Sequence, residues 1–313
     1  MAKRARVVRI HAEGAVPAPM PGFVQPQLAT LRTRPPSGAG WIHEIKLDGY
    51  RGQAHVGPQG TRIYTRGGHD WSKMFAPLVA ALSDAAVDEA VIDGEIVVVV
   101  DERTDFGALQ ADLAARRADR MLFYAFDLLH LDGYDLGPVP LTERKRLLKG
   151  LFDRGLEPPV VYSDSMDDGE AMFDGAGRLG WEGIVSKRAD APYRSGDRSL
   201  DWQKIKTSKR EHLVIVGYVP ATGGIAALHV ARRDGDSLVY AGKVGTGFSV
   251  KVGADLRRRL AEIETAAPPI AKPPPRHRPR WVRPVMSADV EYRDITASGH
   301  LRHASFKGLA KAP

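Results

Sequence analysis

The 313-residue chain is predicted to fold as an α+β protein: antiparallel sheets with helices come first, and a smaller β-barrel follows. Three observations predict this. As far as residue 206, short runs of alternating polarity closed by Gly-containing turns are interleaved with segments of helical period. Beyond 207 the runs stay short, Gly turns separate them, and one helical segment remains. The charge changes at the same point. Residues 1–206 hold 27 Lys/Arg against 29 Asp/Glu, a net of −2, and residues 207–313 hold 18 against 9, a net of +9. The expected division is a basic tail at 1–20, a first domain at 21–208 and a barrel at 209–313, in keeping with domains of roughly 100–200 residues.

Residues 1–35 are rich in Pro and Ala and lack period, so they read as a tail and a wrapped segment. Trp41–Lys46 alternates and stops at Asp48-Gly49. Tyr50–Val56 is a second strand and Thr61–Thr65 a third, and the three are expected to form an antiparallel meander. A helix is expected over Phe75–Ala86, a strand over Ala90–Val100, a helix over Gly107–Ala118 and a buried strand over Arg120–Leu131. Leu141–Phe152 reads as a helix with Thr142 as its N-cap and its Arg and Lys residues on the outer face. Asp168–Leu179 is a further helix, and Gly183–Lys187 and Trp202–Lys206 are short strands. Thr207–His212 reads as a polar linker. The barrel strands are Leu213–Val219, Ile225–Arg232, Ser237–Lys243 and Val285–Tyr292, with a helix near Ala254–Glu264 and a Pro/Arg-rich connector at Pro268–Arg280.

Composition excludes several classes of function. With no cysteine there is no disulfide framework, thiolate metal site, iron–sulfur cluster or thiol nucleophile. No apolar run reaches 18 residues, and the basic start carries no apolar signal region. The one-sided basic block points to a polyanionic partner, most simply nucleic acid.

The chemistry-bearing segments begin with Glu44-Ile-Lys46-Leu-Asp48-Gly49-Tyr-Arg51. Taken alone, Lys46 is either a nucleophile or a solvated lysine at a strand end. Val91-Ile-Asp93-Gly94-Glu95 sets a carboxylate on an apolar strand, and Tyr124-Ala-Phe126-Asp127 is aromatic-rich. Glu182-Gly-Ile-Val-Ser-Lys187 begins a strand with another carboxylate. In Trp202-Gln-Lys204-Ile-Lys206, residues 202, 204 and 206 share a face. Each has a plain reading as sheet surface or core.

As an ordered set these segments resemble the nucleotidyltransferase motifs of ATP-dependent DNA ligases, most closely the ligase domain of bacterial end-joining ligases. Trp281-Val-Arg-Pro-Val and Leu301-Arg302-His303-Ala-Ser-Phe306-Lys307-Gly-Leu309 extend the resemblance, which covers roughly 20–310. It implies an adenylation domain followed by an OB-fold barrel. It implies that Lys46 takes AMP from ATP as a covalent adduct, with Arg51, Lys204 and Lys206 binding phosphate and favouring the neutral amine. Glu182 and Glu95 would hold Mg²⁺, with Mn²⁺ as the substitute, and Glu95 would also contact the ribose. Phe126 would stack on adenine and Glu44 would lie near its amino group. Arg66 would meet the ribose or the DNA 5′-phosphate, and Arg302 and Lys307 would orient pyrophosphate. The linker would be a hinge on which the barrel swings.

The resemblance further implies nicked or broken duplex DNA as substrate in repair or end joining, a Ku-type end-binding partner, a monomer, and a cytoplasmic, nucleoid-associated place in a bacterium. The Met1 start favours a stand-alone enzyme, and the short stretch before Lys46 leaves no room for a large DNA-binding domain ahead of it. Two other readings are an RNA ligase or capping guanylyltransferase, and an inert nucleic-acid-binding protein on a ligase fold. The long match to the end-joining type opposes the first. The survival of Lys46, Glu95, Glu182, Lys204 and Lys206 opposes the second.

Overall fold

The computed structural model describes residues 12–274, 279–292, 294–296 and 298–310. It divides into two compact units, with the boundary between Thr207 and Ser208. The start of the expected basic tail, residues 1–11, lies outside the described residues. Residues 12–20 are not tail: Val16–Pro17 is an edge strand on Tyr134–Asp135, because the Ala18 N–H finds the Gly133 carbonyl.

The first unit holds two sheets. The larger runs in the order Val16–Pro17, Tyr134–Asp135, Met121–Leu131, Ala90–Val100, Tyr50–Val56, Arg62–Thr65, and Val160–Tyr162 joins Met121–Leu131 in parallel. The long Val/Ile and aromatic runs occupy its centre because both of their faces are covered. Helices Ala76–Ser83, Phe106–Ala114 and Leu141–Phe152 accompany it, and its main apolar core gathers residues such as Leu78, Leu82, Leu109, Phe123 and Leu148. The smaller sheet runs Thr30–Arg32, Trp202–Lys206, Gly183–Arg188, Trp41–Ile45. Helix Gly169–Leu179 packs on it through Met172 and Ala176, its first turn capped by the Asp168 carboxylate. A separate cluster of Val91, Phe126, Leu129, Tyr193 and Trp202 joins the two sheets.

This arrangement corrects the expected meander. Trp41–Ile45 pairs with Gly183–Arg188, whereas Tyr50–Val56 pairs with Arg62–Thr65 and Ala90–Val100. The turn at 47–49 therefore carries the chain from one sheet to the other. Two further corrections fall on helix Leu141–Phe152. Its N-cap is Pro140, and Thr142 lies inside the first turn. Its basic residues do not all face outward. Arg144 is fully buried on Asp127 through two hydrogen bonds, and Lys145 is buried on Glu44.

The second unit is a curled β-structure whose main core includes Leu213, Tyr218, Leu228, Val244, Leu256 and Phe306, with a smaller cluster of Val214, Val216, Ala231 and Ile270. Its long strand, Lys209–Ala221, pairs first with Ser287–Tyr292 and then with Gly224–Asp234 and Arg280–Val282, with bulges that bend it. Ser237–Val244 and Ser305–Leu309 complete the main pairings, and helix Val250–Ala261 is capped by Ser249. The expected linker is shorter than its polarity suggested. Lys209–His212 are strand, registered on Asp289–Tyr292, so only Thr207 and Ser208 connect the units.

Candidate active site

A cavity of about 580 Å³ opens in the first unit where the two sheets face each other, a size that suits a small-molecule ligand. Glu44, Lys46, Arg51, Arg66, Glu95, Phe126 and Lys204 all border it.

Lys46 enters directly after Trp41–Ile45, and its backbone N–H donates to the Gly183 carbonyl at 2.9 Å. Beyond it, the Asp48 N–H donates to Thr104 Oγ1 at 3.1 Å, and Gly49 passes so close to the larger sheet that a Cβ would lie 2.2 Å from the Ile96 carbonyl oxygen. Both sides of the lysine are thus clamped to different sheets.

Lys46 Nζ lies 2.6 Å from Glu182 Oε2, and Lys206 Nζ lies 3.4 Å from Glu182 Oε1. The register Gly183↔Lys206 and Ile184↔Ile45 brings these groups together across three strands. Gly183 has φ +145°, and a Cβ there would stand 2.0 Å from the Ile205 carbonyl oxygen, so only glycine lets Glu182 sit against its neighbours. Lys204, paired with Val185, has its ammonium pKa lowered by partial burial and by Lys46, Arg198 and Lys206.

Arg51 and Glu95 are cross-strand neighbours. The Arg51 guanidinium donates two parallel hydrogen bonds to Asp93, each 2.6 Å, and lies over the rings of Phe126 and Trp202 at 4.5 and 5.4 Å. Burial opposes the Arg51 charge, but Asp93 outweighs it and raises the pKa. Asp93 also accepts from the Tyr193 hydroxyl at 2.7 Å, and that hydroxyl accepts from the Gln27 N–H. Desolvation pushes the Glu95 carboxyl up to about 7. Arg51 and Lys46 pull it down, while Asp93 and Glu182 add to the rise.

Glu44 reaches the cavity wall with its carboxylate already engaged. Lys145 Nζ and Lys187 Nζ each donate to it at 2.8 Å, and Ser163 Oγ donates at 3.3 Å. Lys187 is buried against the faces of Phe126 and Trp202 at 4.3 and 4.4 Å, and its pKa is lowered chiefly by desolvation.

Arg66 is exposed on the cavity wall. Arg302 and Lys307 belong to the second unit, where Arg302 is exposed and Lys307 Nζ lies 3.1 Å from Glu291. Sequence reasoning assigned no part to Lys145, Lys187, Asp93, Tyr193 or Arg198. Lys187 and Asp93 stood inside the quoted motifs, so their spacing was the available signal. Lys145 sits in a run of basic residues that looks like a solvated helix face.

Among the described residues no three His, Asp or Glu side chains converge as a closed metal site. Glu182 and Glu95 are the carboxylates grouped with Lys46, an oxygen-only donor set in which Glu95 borders the cavity and Glu182 is buried beside Lys46. A pair of this kind fits a hard divalent cation that keeps most of its hydration shell. A cation would also favour the charged form of the Glu95 carboxyl, which desolvation holds near 7.

Residues 27–206 match the family described as ATP dependent DNA ligase domain, and residues 221–312 match the ATP dependent DNA ligase C terminal region. The chain is 37% identical over 323 aligned positions to a multifunctional non-homologous end joining protein LigD of Pseudomonas aeruginosa, covering 96% of this chain and 38% of that protein. It is 33% identical to the Mycobacterium tuberculosis LigD DNA repair protein, covering 86% of this chain and 36% of that one. The chain therefore spans little more than a third of these relatives. The crystal structure of the M. tuberculosis LigD ligase domain superposes with a TM-score of 0.55 at 31% identity, covering 92% of this chain and 95% of that chain.

Proposed function

The chain belongs to the ATP-dependent DNA ligase family, with a nucleotidyltransferase unit followed by an OB-fold unit, and from that premise we propose that it seals 5′-phosphate/3′-hydroxyl breaks in duplex DNA through a lysyl–AMP on Lys46. The observation that carries this is the setting of Lys46: a lysine fixed between two sheets, against Glu182, in a cavity lined by cations and an aromatic ring.

Phosphoryl transfer needs positioning and charge neutralisation more than covalent assistance. The Lys46 ammonium gives up its proton to water before attack, which leaves Glu182 an ionised carboxylate beside the amine. The neutral amine then bonds to the α-phosphorus of ATP, the α–β bridging bond breaks, and pyrophosphate leaves. Arg51, Lys204 and Lys206 hold the phosphate oxygens and oppose the return of a proton to Lys46. Phe126 supplies the ring on which adenine stacks, backed by Lys187 and Arg51. Glu44, held by its two lysines, takes the amino edge of the base. Glu182 and Glu95 would hold Mg²⁺, or Mn²⁺ in its place, which supplies charge neutralisation at the phosphates when bound.

AMP next passes from Lys46 to the DNA 5′-phosphate. The 3′-hydroxyl then attacks that phosphate and expels AMP. Arg66 meets the 5′-phosphate end or the ribose, and Arg302 and Lys307 act on pyrophosphate. The proposal extends to end joining beside a Ku-type end-binding protein, to a monomer, and to the nucleoid as its place of action.

The test is intact-protein mass spectrometry after incubation with ATP and Mg²⁺, for wild type and Lys46→Ala. One AMP gained by wild type and not by the variant is the expected result. Protein that is already adenylated loses AMP on addition of pyrophosphate. A mass that changes in neither direction overturns the reading.

A further inference from the structure

Trp71 is 36% exposed at the mouth of the cavity, on the loop that also carries Arg66. A single exposed apolar side chain is ordinary; what sets this ring apart is a fold that holds it rigidly at the cavity. The fold does so here. The Trp71 N–H donates to the Ile63 carbonyl at 3.0 Å, and the next residue, Ser72, accepts the Ile63 N–H at 3.0 Å through its hydroxyl. Asp70 in turn accepts from the Ser72 backbone at 2.9 Å and bridges to Tyr64. The indole rests against Tyr50 and against the buried Phe75, with ring centroids 6.2 and 5.9 Å away, so its inner side is packed and its outer side is open.

Its surroundings set the chemistry of an occupant. Arg66 is exposed on the same loop, and Lys73 follows two residues after the indole. A fixed aromatic face flanked by cations suits a partner that is both planar and anionic, which describes a nucleic-acid strand. The cavity behind the indole is where Lys46 holds its nucleotide under the reading above, so a strand presented to that nucleotide must cross the mouth.

We propose that Trp71 is the stacking platform for the terminal nucleotide of the DNA strand that accepts AMP from Lys46. This rests on the ligase reading and names a contact that acts on the DNA steps. Both aromatic and sugar faces of a nucleotide can lie on an indole, so the contact tolerates any sequence at the break.

The experiment compares wild type, Trp71→Ala and Trp71→Phe in the full chain. It reads the dissociation constant of a nicked, 5′-phosphorylated duplex by fluorescence anisotropy without ATP, the AMP adduct formed from ATP by mass, and thermal unfolding. Trp71→Ala is expected to weaken duplex binding about 10-fold or more, the scale of one lost base–aromatic stack, with Trp71→Phe recovering most of it. Adduct formation should follow wild type, and Trp71→Ala, although destabilised by its lost packing on Tyr50 and Phe75, should stay folded at the assay temperature. Unchanged duplex affinity in Trp71→Ala overturns the proposal. So does an equal loss of adduct or of folding, which would make the indole a strut. A wild-type dimer that Trp71→Ala dissociates, with duplex affinity kept, would assign the face to a second copy and overturn it too. Absence of any adduct in wild type sinks the ligase reading instead, and the duplex constants distinguish the two failures.

Discussion

Lys145 and Glu44 form a buried ion pair, 2.8 Å between Nζ and Oε1, that ties helix Leu141–Phe152 to the strand leading into Lys46. Lys187 holds the other oxygen of the same carboxylate. Breaking a buried pair from one side strands a charge away from water. Lys145→Met is therefore expected to destabilise the fold by about 3 kcal/mol, read by urea unfolding. A loss below a few tenths would mean that Lys187 and Ser163 satisfy Glu44 without it.

The Arg51–Asp93–Tyr193 chain is a positioning device whose loss should appear in chemistry before stability. Tyr193→Phe removes one donor and leaves the Gln27 N–H without its acceptor, at a cost of about 1–2 kcal/mol. Asp93→Asn removes the charge that aims Arg51, so single-turnover formation of the AMP adduct should slow far more in Asp93→Asn than in Tyr193→Phe. Equal rates in the two variants would dissociate Arg51 from its partner.

Two glycines differ in what surrounds them. A methyl at Gly49 collides with the Ile96 carbonyl, whereas Gly150, within helix Leu141–Phe152, has open space. Gly49→Ala should cost about 3 kcal/mol and displace Lys46. Gly150→Ala should add about 0.5–1 kcal/mol through helix propensity. Thermal unfolding of the pair checks both signs, and a tolerated Gly49→Ala would show that the turn can shift without harm.

Burial, with His130 nearby, lowers the His55 imidazole pKa to about 4 from an ordinary 6.5. Its Nε2 donates to Gln53 Oε1 at 2.8 Å. Protons bind the unfolded imidazole more readily, so this contribution is complete above pH 6.5 and is lost as pH falls from 6.5 towards 4. It amounts to roughly 3 kcal/mol. His55→Gln should flatten the acid limb of the stability–pH curve over that window. An unchanged limb would place the acid sensitivity elsewhere.

The +9 formal charge of residues 207–313 predicts salt-sensitive duplex binding. A log–log slope against salt steeper than about −3 is expected, the signature of several phosphates neutralised together. A slope near zero would assign those cations to the protein's own carboxylates.

Short edge strands such as Val16–Pro17, Thr30–Arg32 and Val160–Tyr162 apart, the sequence by itself determined the helices and the longer strands, the two-part organisation, the family, and the motif residues that border the cavity. Those features are local: polarity period, Gly turns and ordered short motifs are all readable within a few residues. Tertiary structure alone decided that Trp41–Ile45 and Tyr50–Val56 belong to different sheets, because strand pairing is a choice among distant partners that turn chemistry does not encode. It also decided that Lys145, Lys187 and Arg144 are interior. A charged side chain enters a core only when a partner far along the chain meets it, as Glu44 and Asp127 do here, and no local pattern announces that partner.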